Sequence, residues 1–103
     1  MLDRHQAMRK HMRLEYRLRE DVNIDSYVGL VSEFVTNLRN DHASTDYTAY
    51  RDSKDPRHFV HVGHFDEEVA TAFQTKAWFK DFTGKLRELT VNPPDVVMLS
   101  PLI

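Results

Sequence analysis

Met12, Leu14, Tyr16 and Leu18 alternate strictly with Arg13, Glu15, Arg17 and Arg19. An extended chain sends successive side chains to opposite sides, so this segment reads as a strand with one apolar and one polar face. The apolar face needs a cover, and the next pattern offers one. Tyr27, Leu30, Val31, Phe34, Val35 and Leu38 recur at spacings of three and four, the stripe of an amphipathic helix over Asn23–Leu38. Asn23, Asp25 and Ser26 supply cap-type side chains at its start, and Asn40-Asp41-His42 ends it. Gly29 weakens the helix by about 1 kcal/mol relative to Ala without overturning the pattern.

Two further strands follow. Tyr47–Arg51 is short, and Arg57–Phe65, built on Phe59, Val60, Val62 and Phe65, is the most strand-like stretch of the chain. Ser53-Lys54-Asp55-Pro56 turns between them, so the pair reads as a hairpin. Asp66 stands at the cap position of a second helical region, with Glu67 and Glu68 near its positive end. Its apolar face is Val69, Ala72 and Phe73, and after Thr75 a longer stripe runs through Trp78, Phe79, Phe82, Leu86 and Leu89. Asn92-Pro93-Pro94 stops the helix, and Val96–Leu99 is a last strand limited by Ser100-Pro101.

The order β-α-β-β-α-β specifies an α+β, ferredoxin-like domain: a four-stranded antiparallel sheet with its helices on one face. At 103 residues the chain is expected to be one domain, residues 1–103, with 1–11 as a leader segment. The helix-free sheet face needs cover too, and a second copy of the chain, giving a homodimer, is expected to provide it.

Composition removes several function classes. There is no cysteine, hence no disulfide framework, thiolate nucleophile or Cys-based metal site. No apolar run approaches the ~18 residues of a membrane-spanning helix, and Met1–Met12 lacks the apolar stretch of a signal peptide, so a cytoplasmic location is expected. The net charge of −2 argues against a general nucleic-acid binder. Residues 1–19 nevertheless hold six Lys/Arg against Asp3 and Glu15, four positive on balance, which leaves six negative on the remainder. Phosphate-binding glycine loops, nucleophile elbows, HExxH and flavin or nicotinamide fingerprints are all missing. The Asp41, His42 and Ser44 grouping has no spacing that would fix a catalytic triad.

The stretch YRDSKDPRHFVHVGHFDEEVATAFQTKAWFKDFTGKLREL, Tyr50 to Leu89, resembles the antibiotic biosynthesis monooxygenase domain family. The likeness rests on the aromatic strand Tyr47–Tyr50, the Asp55-Pro56 turn, the strand Phe59–Phe65, the acidic helix start Asp66–Glu68 and the aromatic helix Thr75–Phe82. It implies a dimeric α/β barrel and cofactor-independent oxygenation, in which an electron-rich phenol is deprotonated in a dry pocket and its anion meets dioxygen directly. Gly63-His64-Phe65 departs from the Glu-x-Trp that many members carry. In the haem-degrading branch the matching positions are Tyr16, Phe73 and Thr83, none of them with haem-handling chemistry, so neither haem nor any other cofactor is expected.

The candidate site residues are few. His58, His61 and His64 invite a metal reading. On a strand, however, His61 faces away from the other two, and His58 and His64 lie roughly 20 Å apart. No metal site is therefore expected. His61 shares a face with Phe59, Gly63 and Phe65, so a half-buried imidazole could act there as a general base, with Gly63 leaving room for a ligand. The plain alternative is a core histidine satisfied by one hydrogen bond. Tyr16, on the apolar face of the first strand, is the candidate hydrogen-bond donor. Phe59, Phe65, Phe73, Trp78 and Phe82 are candidate walls of a pocket for a small phenol- or quinone-type aromatic; at helical spacing the same rings could simply be core. The competing function is a non-catalytic binding or regulatory module. RNA binding is its sharpest version, because Arg57, Phe59 and Val62 echo the aromatic third strand of RNA-recognition domains.

Overall fold

A computed structural model describes residues 9–41 and 46–102, and the side chains among them from His11 onward. Four strands, β1 (Arg9–Arg17), β2 (Asp46–Arg51), β3 (His58–Asp66) and β4 (Asp95–Leu99), form one antiparallel sheet in the order β2-β3-β1-β4. Three helices connect them: α1 (Ile24–Asp41) between β1 and β2, and α2 (Glu67–Phe73) with α3 (Ala77–Leu89) between β3 and β4. This is the ferredoxin-like arrangement expected from the sequence, with the second helical region divided in two.

The break has a local cause. The backbone N–H of Thr75 and its hydroxyl both donate to Ala72 O, and Lys76 N–H donates to Phe73 O. Those short-range bonds end α2 at Phe73, and α3 begins at Ala77. Val69 and Phe73 are buried from α2, and Phe82 and Leu86 from α3, so the apolar stripe continues across the break. At α1, Asn23 Oδ1 accepts from Ser26 N–H at 3.0 Å, a side-chain N-cap. Asp66 occupies the cap position of α2 but makes no side-chain cap bond.

The first strand begins earlier than the alternation suggested. Arg9–His11, expected as the end of a leader, pair with Asp66, Phe65 and His64, because β3 is long enough to offer them partners. The rest of that segment, residues 1–8, lies outside the described residues, as do His42 and Ser44 of the Asp41, His42 and Ser44 grouping. Met12, Leu14 and Tyr16 of β1 point inward together with Phe59, His61, Gly63 and Phe65 of β3. Leu18, fully buried, extends this row through an isolated bridge to Thr90. Among the described residues no helix is long and apolar enough to cross a membrane.

Candidate functional site

The inward face of the sheet carries a line of four polar groups inside an otherwise apolar core. Tyr27, from α1, donates its hydroxyl hydrogen to Tyr16 Oη at 2.6 Å. Tyr16 Oη lies 2.8 Å from His61 Nε2, and Tyr47 Oη, from β2, lies 2.7 Å from His61 Nδ1. All four residues are buried, and His61 has no exposed surface. Phe59 stacks on Tyr16 at 5.7 Å, and Phe82 stacks on His61 at 6.4 Å.

Burial decides the protonation of this cluster. It lowers the His61 pKa to about 4, so the imidazole is neutral near pH 7. It also raises the phenols of Tyr16, Tyr27 and Tyr47 above their ordinary range, with neighbouring Tyr27 adding to the rise at Tyr16 and Tyr47. The cluster is thus uncharged, and both ring nitrogens of His61 are occupied. The expected half-buried base is in fact sealed.

Beside the cluster lies a cavity of about 880 Å³ between the sheet and α2–α3, bounded on β1 by Met12 and Leu14 and on β4 by Val96 and Met98. Of the aromatics expected as walls, Phe65, Phe73 and Phe82 line it, whereas Phe59 and Trp78 do not. Phe59 packs within the core, and Trp78 sits half-buried against Phe34 and Phe73. His61 and Tyr16 do not line the cavity either. Tyr47 does, and it alone joins the polar cluster to that space. Gly63 leaves its room to Tyr47 and not to a ligand: a Cβ there would lie 2.7 Å from Tyr47 Cδ2.

Among the lining residues that sequence pattern did not mark as site candidates, Tyr47, Arg87 and Thr90 carry polar groups that matter here. Tyr47 read only as a strand aromatic. Arg87 is the one charged side chain among the cavity's lining residues, and no ion pair is formed by it among the described residues. Thr90 Oγ1 is the one buried side-chain polar atom lacking a partner among the described residues. A wide polar groove of about 940 Å³ runs past Val22, Arg51, Asp52 and Arg57, but it is open to solvent. Two of its charges are already engaged, Arg57 with Glu20 and Asp52 with His58. The cavity beside the cluster is the more enclosed of the two and has the more apolar lining.

On the outer sheet face His58 lies between two carboxylates, 2.6 Å from Glu15 Oε2 and 3.0 Å from Asp52 Oδ2. The hydrogen bond to Asp52, then that to Glu15, raises its pKa. His64 lies 3.8 Å from Asp46 on the same face. No group of three metal-ligating side chains occurs among the described residues.

No protein-family model and no curated protein sequence matches the chain. Solved structures do. An antibiotic biosynthesis monooxygenase is similar over 91% of this chain and 99% of its own, at 18% identity and a TM-score of 0.77. A Bacteroides thetaiotaomicron protein assigned as an antibiotic biosynthesis monooxygenase covers 95% and is itself covered over 93%, at 12% identity and a TM-score of 0.82. SnoaB, a cofactor-independent oxygenase from Streptomyces nogalater, covers 93% and is covered over 95%, at 8% identity and a TM-score of 0.77. The chain therefore has the fold of the antibiotic biosynthesis monooxygenases, the fold that the sequence resemblance implied.

Proposed function

We propose that this protein is a cofactor-independent, monooxygenase-like protein that binds a small phenol- or quinone-type aromatic in the 880 Å³ cavity. The observation that carries this is the combination of aromatic walls, Phe65, Phe73 and Phe82, with one buried polar cluster reaching the wall at Tyr47. A planar apolar ligand is held by such walls and oriented by few polar groups. The fold shared with a cofactor-independent oxygenase supports the reaction class.

The chemistry balances without a cofactor. An anthrone-type CH₂ loses four electrons to become a carbonyl, while dioxygen gains four, one oxygen atom entering the product and the other leaving as water. The protein's part is to hold the anion that reacts and to keep water away from it. His61 and Tyr16 take part in this reading through Tyr47, since neither lines the cavity. The working unit is a homodimer joined by the outer sheet faces.

The test is calorimetry with an oxygen electrode across naphthols, hydroxyquinones and anthrones. Wild type should bind at least one compound and consume oxygen with it. Phe73→Ala should weaken binding, and His61→Asn should lower oxygen consumption, because it removes the partner that holds the Tyr47 hydroxyl in place. Binding without oxygen consumption would identify a non-catalytic binding module. The RNA version of that module lacks its stacking platform, because Phe59 is only 4% exposed. If no compound binds, the cavity is not the functional site.

A further inference from the structure

The polar cluster contains one more hydrogen than its bonds can use. Three neutral phenols and one neutral imidazole carry four polar hydrogens. Three contacts join the groups in a line, Tyr27–Tyr16–His61–Tyr47, and each contact uses one hydrogen. One hydrogen is left without an acceptor inside the cluster.

With Tyr27 donating to Tyr16, the tautomer of His61 separates two arrangements. The reverse direction is compatible only with the first of them and leaves the surplus hydrogen on the equally buried Tyr27. In the first, His61 carries its hydrogen on Nε2 and donates to Tyr16, while Tyr47 donates to Nδ1. Tyr16 then accepts from both sides, and its own hydrogen is orphaned in the sealed core, a situation that folded proteins rarely keep. In the second, Tyr16 donates to Nε2 and Nδ1–H donates to Tyr47. The surplus hydrogen then belongs to Tyr47, the one member of the cluster that lines the large cavity. Among the described residues His61 is the only hydrogen-bond partner of the Tyr47 hydroxyl. The second arrangement also runs in one direction from Tyr27 to Tyr47, so each bond polarises the next and the last hydroxyl is the strongest donor.

We propose that Tyr47 is the residue that hydrogen-bonds the ligand, and that the ligand meets it with an oxygen that accepts without donating, an aryl ketone carbonyl or a phenolate. This rests on the reading of the cavity as the ligand site. His61 is a positioning residue: its Nδ1–H makes the Tyr47 hydroxyl an acceptor toward His61 and so leaves the Tyr47 hydrogen free for the ligand. Gly63 belongs to the same arrangement, because only a residue without a Cβ leaves the space that the Tyr47 ring occupies.

Two measurements decide it. Long-range ¹H–¹⁵N spectra of wild type should show His61 as the Nδ1–H tautomer; the Nε2–H tautomer would mean that Tyr47 spends its hydrogen on His61 and would overturn the assignment. The second uses 2-naphthol as the probe, its ionisation followed by absorbance, with naphthalene as the oxygen-free control. Bound naphthol should ionise at a pH lower by about one unit or more in wild type than in Tyr47→Phe, a tenfold preference for the anion. Naphthalene should bind both proteins equally. Equal naphthol ionisation in the two proteins would sink the Tyr47 assignment and leave the cavity reading standing. If wild type binds neither naphthol nor naphthalene, the cavity reading fails and the assignment fails with it. Should Tyr47→Phe not fold, the tautomer of wild-type His61 by itself distinguishes the two arrangements.

Discussion

His61 sits between two phenols with no exposed surface, and its enclosure makes the fold sensitive to acid. The unfolded chain binds a proton at an ordinary histidine pKa of 6.5, whereas the folded chain does so only at about 4. Stability is therefore unaffected above about pH 6.5 and falls as the pH drops through that window, by up to about 3 kcal/mol. Urea unfolding at pH 7.5 and pH 4.5 should show this decline in wild type and a smaller one in His61→Gln. An equal decline in both proteins would place the acid sensitivity elsewhere. Gly63 offers a second test at this scale. The Cβ of Gly63→Ala would stand 2.7 Å from Tyr47 Cδ2 and 3.0 Å from Phe65 Cε1, so the Tyr47 ring must shift away from His61. The expected loss is about 1–3 kcal/mol in chemical denaturation, the usual range for an overpacked site. Unchanged stability would show that the ring has room to move. Period-two alternation was enough to turn His61 inward beside Phe59 and Gly63. Its partners were out of reach of that argument. Tyr47 meets His61 only through the β2–β3 register, which sets Tyr47 opposite Gly63, and Tyr27 meets Tyr16 only through the rotation of α1.

At the scale of elements, His58 ties three segments together, reaching Glu15 on β1 and Asp52 beside the β2–β3 turn from its own place at the start of β3. Asp55 in that turn also pairs with Arg17 at 2.8 Å, and Arg57 N–H donates to Asp55 Oδ1. Asp52, and after it Glu15, hold His58 protonated to a higher pH than an ordinary histidine. A raised pKa contributes stability that is fully present below about 6.5 and is lost as the pH rises through the folded value. The melting-temperature difference between wild type and His58→Gln should thus be larger at pH 6 than at pH 9. The same difference at both values would mean that the imidazole acts by packing alone. The element order was legible because alternation and helical stripes are local signals. The break at Gln74–Lys76 was not, since it depends on how Thr75 shares the Ala72 carbonyl. Nor was the start of β1 at Arg9, which follows from the length of its partner.

For the whole molecule, the helices cover one side of the sheet and leave the other with a mixed surface. Val60 and Val62 sit half-buried near its middle, Tyr50 and Leu99 are 56% and 45% exposed, and the Arg13–Glu15–His58 group lies among them. An apolar centre with paired charges around it suits contact with a twofold-related copy of itself, because Arg13, Glu15 and His58 are already paired within their own chain. Sedimentation equilibrium at micromolar concentration should therefore give about 24 kDa, twice the 12.1 kDa chain mass. Val62→Lys would set an unpaired charge at the centre of that contact, where burying it is costly. The variant should sediment as a monomer near the chain mass and keep its secondary structure by circular dichroism, because Val62 lies on the face away from the core. Wild type sedimenting as a monomer would remove the homodimer. A Val62→Lys protein that remains dimeric would instead move the contact off this sheet face, toward the exposed apolar edge of Val96 and Met98 that borders the cavity.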